Sequence, residues 1–489
     1  MPAGKSGVPS LTSDGTPGCL DPAMSAAALA ALEFDDVLDV VATSAAGPLG
    51  AAALRARRPS SDGEWIRREL ALVSEALAAL RRGAGIAVAP VPDLRGALGR
   101  LRVEGSVLEL SELTAVKMAL VAGRQNADEL ERHAESCPRV AAVAVSPLNR
   151  SIERMLELAI GDDDELLDSA SPALAAARRE VHAARERLVR RLEGMLRDAD
   201  PSAIPGGASV TMRSGRYVIP VRRDSRSRPE GIIHDESGSA GTLFIEPTAA
   251  IELGNALRTA LGAEERETLA VLRDLTARLR PERDAIAALH AMSVELDTIV
   301  ARARWARDTD GEVPDIGAVA GSLQLNGARH PLLLARGIAV VPFDLSLVAP
   351  ERTLLISGPN TGGKTVLLKT VGLTLALAQS GFVPPIGAGS VLPVVRRIFV
   401  DIGDHQSLAA DLSTFSAHVA TLRRVLDAAD SATLILLDEI GSGTDPAEGG
   451  ALAMAVLETL TTRAALTLAT THLGALKTLA MRVPGVVNG

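Results

Sequence analysis

The chain has 489 residues, 47% of them apolar and only 2% aromatic, with a formal net charge of −9. That length suits about three domains and that apolar share can fill substantial cores, which excludes a wholly disordered chain and a small stapled scaffold. Cys19 and Cys137 lack CxxC partners, the histidines form no HExxH, and no uncharged apolar run reaches about 18 residues, so disulfides, structural zinc and a membrane span are not expected.

Residues 1–23, rich in Gly, Pro, Ser and Thr, cannot repay their own ordering entropy and are expected to be a disordered tail. Alanine and leucine periodicity begins abruptly after Met24, so Met24 competes with Met1 as the natural start, a choice that the intact mass decides. No basic, apolar, small-residue leader is present, and the chain reads as cytoplasmic. Residues 24–170 carry apolar spacings of three and four, interrupted at Gly47-Pro48, Pro59-Ser60-Ser61 and Pro90 to Pro92, and predict a helical core.

Residues 171–281 predict a long-helix arm. Ser171-Pro172 starts one helix, with Leu174, Ala177, Val181, Ala184, Leu188, Leu192 and Met195 as its stripe. Leu253, Leu257 and Leu261, then Leu269, Leu272, Leu275 and Leu279, mark a second helix that stops at Pro281. The two helices either pair antiparallel, each about 40 Å long at 1.5 Å per residue, or lie separately on the core. Between them, 207–247 is a β-containing clamp segment, with strands at Ser209 to Met212, Tyr217 to Val221 and Thr242 to Ile245 and turns at Ser214-Gly215 and Ser237-Gly238. Arg213, Arg216, Arg222, Arg223, Arg226 and Arg228 face only Asp224 in that interval. They are either a solvated loop or a contact to nucleic-acid phosphates, with weak sequence preference and little base stacking. The acidic total charge argues only against indiscriminate coating of nucleic acid.

Residues 282–314 read as return helices of the core, and 315–489 as an α/β domain. There the apolar run Leu354-Leu355-Ile356 leads into Gly358-Pro359-Asn360-Thr361-Gly362-Gly363-Lys364-Thr365, the pattern GxxxxGK[ST]. Its glycines let backbone N–H groups converge on a polyphosphate at a helix N-terminus, Lys364 reaches the β and γ phosphates, and the Thr365 hydroxyl takes a position on Mg²⁺. A continuous apolar run, Thr433 to Leu437, ends in Asp438 and Glu439, as a buried parallel strand delivering carboxylates to a ligand edge does. Asp438 is expected to hold Mg²⁺, and Glu439 to orient or deprotonate the attacking water. The run Leu466 to Thr471 brings His472 to the same edge, as a γ-phosphate sensor or simply a loop histidine.

These strings, with Leu412-Ser413-Thr414-Phe415-Ser416, Ile440-Gly441-Ser442-Gly443-Thr444-Asp445-Pro446 and Thr470-Thr471-His472, resemble the MutS ATPases. The resemblance implies a multidomain protein: an all-α core with a long helical arm and small β-containing clamp, followed by an α/β phosphate-loop ATPase domain of the transporter type. It also implies that the glycine loop, Pro359, Asn360 and Thr361 included, contacts ATP, and that Ser413 completes the ATP site of a second chain in a homodimer. Pro446, Glu448 and Gly449 continue the loop by which such dimers communicate.

Arg216-Tyr217-Val218-Ile219-Pro220-Val221, Gly231-Ile232-Ile233-His234-Asp235-Glu236-Ser237, Thr242-Leu243-Phe244-Ile245-Glu246-Pro247 and Leu32-Glu33-Phe34 resemble the second bacterial branch of the family, which lacks the mismatch-reading domain. Phe244-Ile245-Glu246 mimics the wedge of mismatch readers but falls in the clamp segment. The branch implies an ATP-driven clamp on branched or duplex DNA that suppresses homologous recombination, or one that grips collided ribosomes through rRNA and splits them. A mismatch-repair sensor and an architectural ATP-gated clamp are the other readings. Members of the branch continue past the point matching Gly489 into further ATPase strands, dimerisation helices and an Smr nuclease domain, so nuclease activity is not expected from these residues. Arg329-His330-Pro331 resembles a family segment near the nucleotide.

Overall fold

The computed structural model describes residues 26–237, 241–317, 321–358, 363–402, 411–442, 444–463 and 465–489, with the backbone alone over 411–418. It is predominantly helical with three small sheets and divides into two compact units. Among the described residues no helix is long and apolar enough to cross a membrane.

The smaller unit, residues 92–121 and 147–290, is built on the helices Pro172–Asp198 and Thr248–Leu279. The Ser171 hydroxyl opens the first by accepting from the N–H groups of Ala173 and Leu174, and Pro172 sits at the first helical position, where its missing N–H costs nothing. The two helices pack against each other as one arm rather than lying apart. Val181, Ala184, Leu188 and Leu192 meet Ala250, Leu257 and Ala260 in a shared core, and an ion pair joins Arg178 to Glu264 at 3.4 Å. The buried stripe of the second helix differs from the leucine pattern, because Leu261 and Leu269 are exposed. Repeated spacings of four walk around a helix of 3.6 residues per turn, whereas Ala250, Gly254, Leu257 and Ala260 follow one spacing of four with two of three and stay on one face.

Between these helices lies an antiparallel sheet of order β1-β2-β4-β3, comprising β1 (Thr211–Arg213), β2 (Arg216–Arg222), β3 (Gly231–Glu236) and β4 (Thr242–Pro247). Ser214 and Gly215 both have left-handed φ, 49° and 74°, as a two-residue hairpin turn needs. Strand β3 is not among the strands expected from the sequence. It is an edge strand in which consecutive Ile232 and Ile233 are both about half exposed, so the alternation of a half-buried strand is missing.

The larger unit, residues 1–91, 122–146 and 291–489, contains two sheets. One has the order β5-β9-β6-β7, from β5 (Asp315–Ile316), β6 (Leu323–Ala328), β7 (Phe343–Leu347) and β9 (Val391–Leu392). The other is wholly parallel, of order β10-β11-β12-β8-β13, from β8 (Thr353–Ser357), β10 (Arg397–Asp401), β11 (Thr433–Leu437), β12 (Leu466–Thr471) and β13 (Val486–Asn488). Every residue of β11 and β12 is buried, which explains why both read as unbroken apolar or threonine runs. Leu355, Ile435, Leu437 and Ala469 meet the helices Asp411–Ala428 and Pro446–Thr462 on one face.

The other face takes the nearly buried helix Lys364–Gln379. A Cβ on its Gly372 would lie 2.6 Å from Leu32 and 2.8 Å from Leu436, so only glycine lets the strand and the Leu32-Glu33-Phe34 segment close on this helix. Glu33 then pairs with Lys369 at 3.1 Å. At the helix's C-terminal end, fully buried Arg302 donates to the Gly381 carbonyl (2.8 Å) and to Glu69 (2.9 Å), which also holds Arg57 at 2.9 Å.

Candidate nucleotide site

In the parallel sheet, β12 lies between β8 and β11, so Gly358, Asp438 and His472 leave three neighbouring strands at one edge. Beyond Gly358, the residues Pro359, Asn360, Thr361 and Gly362 fall outside the described residues. The loop re-enters at Gly363, whose φ of 74° is in the left-handed region that glycine adopts without strain, and the helix begins at Lys364. Its first turn therefore points N–H groups that have no acceptor within the helix, and the positive end of the helix dipole, at the strand edge.

Lys364 is buried and its Nζ donates to the Gly358 carbonyl oxygen at 2.6 Å, folding the side chain back across the loop. Thr365 Oγ1 donates to Asp438 Oδ2 at 2.6 Å, joining positions 73 residues apart in sequence. The Asp438 N–H is fixed by the Asp401 carbonyl oxygen at 2.9 Å. Glu439 is half-buried and has a φ of 51°, a left-handed conformation that costs a non-glycine residue energy and persists only where its surroundings hold it. His472 is exposed just past the end of β12.

Sequence reasoning assigned no role to Thr470. Its hydroxyl donates to Asp438 Oδ1 and accepts from the Glu439 N–H at 2.8 Å, while its carbonyl accepts from the Ile440 N–H at 2.9 Å. The only signal was a threonine at the last position but one of a buried strand, where a hydroxyl needs a partner.

Downstream, Asp445 caps the helix Pro446–Thr462 by accepting from the N–H groups of Ala447 (2.9 Å) and Glu448 (3.3 Å). The backbones at 441 and 449 then come so close that a Cβ on Gly449 would stand 2.2 Å from the Gly441 oxygen. Ser413 lies in the helix Asp411–Ala428, and its side chain is outside the described residues.

The donor set fits a magnesium nucleotide. Among the described residues no cluster of three or more His, Cys, Asp or Glu could hold an ion. One carboxylate and one hydroxyl, Asp438 and Thr365, lie beside a buried ammonium, which leaves the remaining positions of an octahedral ion to phosphate and water. His330, in the same unit, is buried with no partner for Nδ1, and burial lowers its imidazole to about 4.

The six arginines of the smaller unit separate into two groups. Arg213 pairs with Asp235 at 3.2 Å and lies 4.4 Å over the Phe244 ring. Arg223 pairs with Glu236. Arg216 reaches buried Glu246 at 3.2 Å and Asn255 at 3.0 Å, and Glu246 also holds His234 at 2.8 Å. Arg222, Arg226 and Arg228 are exposed. In the Phe244-Ile245-Glu246 string, Ile245 and Glu246 are thus buried and Phe244 half-buried: the carboxylate is consumed by an arginine and a histidine, and the ring is covered by a guanidinium.

Residues 354–489 match the family described as MutS domain V. The chain is 45% identical over 474 residues to a protein of Gemmatimonas aurantiaca named Endonuclease MutS2, covering 95% of the chain and 57% of that relative. It is 40% identical over 466 residues to the Endonuclease MutS2 of Pelotomaculum thermopropionicum, covering 95% of the chain and 59% of the relative. It is 38% identical over 464 residues to the Putative endonuclease MutS2 of Bacillus subtilis, covering 94% and 59%. The chain therefore spans less than two thirds of the length of these relatives.

Proposed function

Since the chain belongs to the MutS family and is of its MutS2 type, we propose that it binds ATP with Mg²⁺ at the strand edge and hydrolyses it to drive a clamp. The observation that carries this reading is the 2.6 Å contact between Thr365 and Asp438, which brings the hydroxyl of the glycine loop and the strand-end carboxylate to one point. Magnesium, when bound, would neutralise phosphate oxygens and order them for in-line attack. Lys364, which donates to the Gly358 carbonyl here, would hold phosphate oxygens instead, and Thr365 and Asp438 would hold the ion. Glu439 takes a proton from the water that attacks the γ-phosphate, giving ADP and inorganic phosphate. Gly358, Pro359, Asn360, Thr361, Gly362 and Gly363 supply backbone donors, and His472 is a candidate contact to the terminal phosphate.

The family resemblance supports a homodimer in which Ser413 of one chain completes the site of the other. It also supports a nucleic-acid substrate, with Arg222, Arg226 and Arg228 as the phosphate-contacting set. The ATP-driven clamp, and not the nucleolysis in the relatives' names, is the activity put forward for these residues. Branched DNA, in suppression of recombination, is the substrate put forward, and rRNA on collided ribosomes is the competing outcome.

Titration of a fluorescent ATP analogue tests the site. Lys364→Ala is expected to abolish magnesium-dependent binding, while Glu439→Gln binds ATP and releases no phosphate. Undiminished affinity in Lys364→Ala rejects the phosphate-loop reading, and normal turnover in Glu439→Gln removes Glu439 from catalysis. Binding to four-way junctions against co-sedimentation with disomes, each with and without ATP, separates the two substrates.

A further inference from the structure

We infer that Thr470 is the positioning residue of the hydrolytic site, orienting the metal-binding carboxylate and the backbone of the catalytic glutamate through one hydroxyl. This rests on the nucleotide reading above.

The need for such a residue arises from the backbone. The parallel ladder between β11 and β12 runs from Leu434 beside Leu466 to Leu437 beside Ala469 and stops there. Glu439 lies beyond the end of that ladder, and the chain turns there with a φ of 51° within a largely buried strand edge, so the N–H groups of Glu439 and Ile440 need acceptors other than ladder partners. A buried N–H must find an acceptor. The next strand supplies two from one residue: the Thr470 hydroxyl oxygen for the Glu439 N–H at 2.8 Å, and the Thr470 carbonyl oxygen for the Ile440 N–H at 2.9 Å. The left-handed turn that projects Glu439 from the strand is thus held from its neighbour.

The hydroxyl has a single proton, and its acceptor is Asp438 Oδ1. Because the lone pairs face the Glu439 N–H, the proton has only one useful direction, and the carboxylate plane of Asp438 is set by it. Oδ2 remains for Thr365, at 2.6 Å, or for an ion that takes its place. When the Thr365 contact opens to admit magnesium, the Thr470 bond keeps Asp438 from swinging away. The distances make the two jobs inseparable, since the donor to Asp438 is the atom that accepts from Glu439. Ser442, whose N–H reaches the Glu439 carbonyl oxygen at 3.1 Å, closes the turn from the other side.

Thr470→Val keeps the shape and the β-branch and removes only the hydroxyl, and Thr470→Ser restores it. Two readouts are measured on the full chain: nucleotide affinity with and without Mg²⁺, using a fluorescent ATP analogue, and amide hydrogen exchange of the peptide spanning Asp438 to Ile440 without nucleotide. In Thr470→Val the affinity gained on adding Mg²⁺ should fall by about 10- to 100-fold, as for loss of a partner that orients a metal ligand. Magnesium-free affinity should stay unchanged, exchange at Glu439 should accelerate, and Thr470→Ser should recover both. Thr470→Ala provides a second hydroxyl-free variant should valine prevent folding. A full magnesium gain in a folded hydroxyl-free variant, or equal exchange at Glu439, overturns this inference alone. Failure of the unsubstituted chain to bind nucleotide overturns the parent reading and this one with it.

Discussion

Replacing Arg302 by methionine probes how the helix Lys364–Gln379 is anchored at its far end. Arg302 is fully buried and donates to the Thr298 carbonyl at 3.2 Å, to Glu69 at 2.9 Å and to the Gly381 carbonyl at 2.8 Å. Burial pushes the Glu69 carboxyl up, but the Arg302 and Arg57 guanidiniums outweigh it and hold the group below its ordinary range. Arg302→Met leaves Glu69 buried with Arg57 at 2.9 Å and the more exposed Arg68 at 3.9 Å as its cations, and strips the Gly381 carbonyl of a donor. An orphaned buried acceptor costs about 1–3 kcal/mol, and breaking a buried pair from one side costs about 3–5 kcal/mol. Because Arg57 still compensates part of the charge, the expected loss is about 3 kcal/mol. Urea unfolding of Arg302→Met, Glu69→Met and the double variant provides the measurement. The double variant should lose less than the sum of the singles by about 1–3 kcal/mol, since neither Arg302 nor Glu69 is then left facing an absent partner, while the loss of the Arg57–Glu69 pair is common to Glu69→Met and the double variant. Strict additivity, or a loss below about 1 kcal/mol in Arg302→Met, would refute the anchoring argument.

Other expectations rest on separate features. The folded pKa of His330, about 4, lies below its ordinary 6.5, so the unfolded chain takes up the proton first and stability falls as pH drops through that window. The loss between pH 7 and pH 5 should be about 2 kcal/mol by chemical unfolding, and a His330→Leu variant with the same pH slope would eliminate His330 as its source. Gly449→Ala places a Cβ 2.2 Å from the Gly441 oxygen and should destabilise by about 2–3 kcal/mol while weakening nucleotide binding; a variant as stable as the parent in urea would contradict the close approach. Arg216→Ala leaves Glu246 buried with His234 and should lower the stability of the smaller unit by about 2–4 kcal/mol, read by local hydrogen exchange. Joint replacement of Arg222, Arg226 and Arg228 by alanine should spare stability and flatten the salt dependence of nucleic-acid binding by a slope of up to about 3; an unchanged slope removes them from the interface.

The strand and helix that flank the glycine pattern, the Asp438-Glu439 strand end and the stripe of the first arm helix were legible in the sequence because each is written locally: a glycine pattern, an apolar run closed by carboxylates, a period of 3.6. The residue types of Thr365 and Asp438 likewise named the ligand chemistry proposed for them, and the two side chains lie in contact. What the sequence could not decide is everything set by which backbone lies beside which. The strand β12 separates β8 from β11, and only that order hands Thr470 to both Asp438 and Glu439. Edge strand β3 had no alternation to betray it, because neither of its isoleucines is buried. The arginine run looked uniform until the antiparallel register brought Asp235, Glu236 and Glu246 beside three of its six members. Pairing energy depends on distances across the chain, and a linear pattern carries charge and period but not the partner.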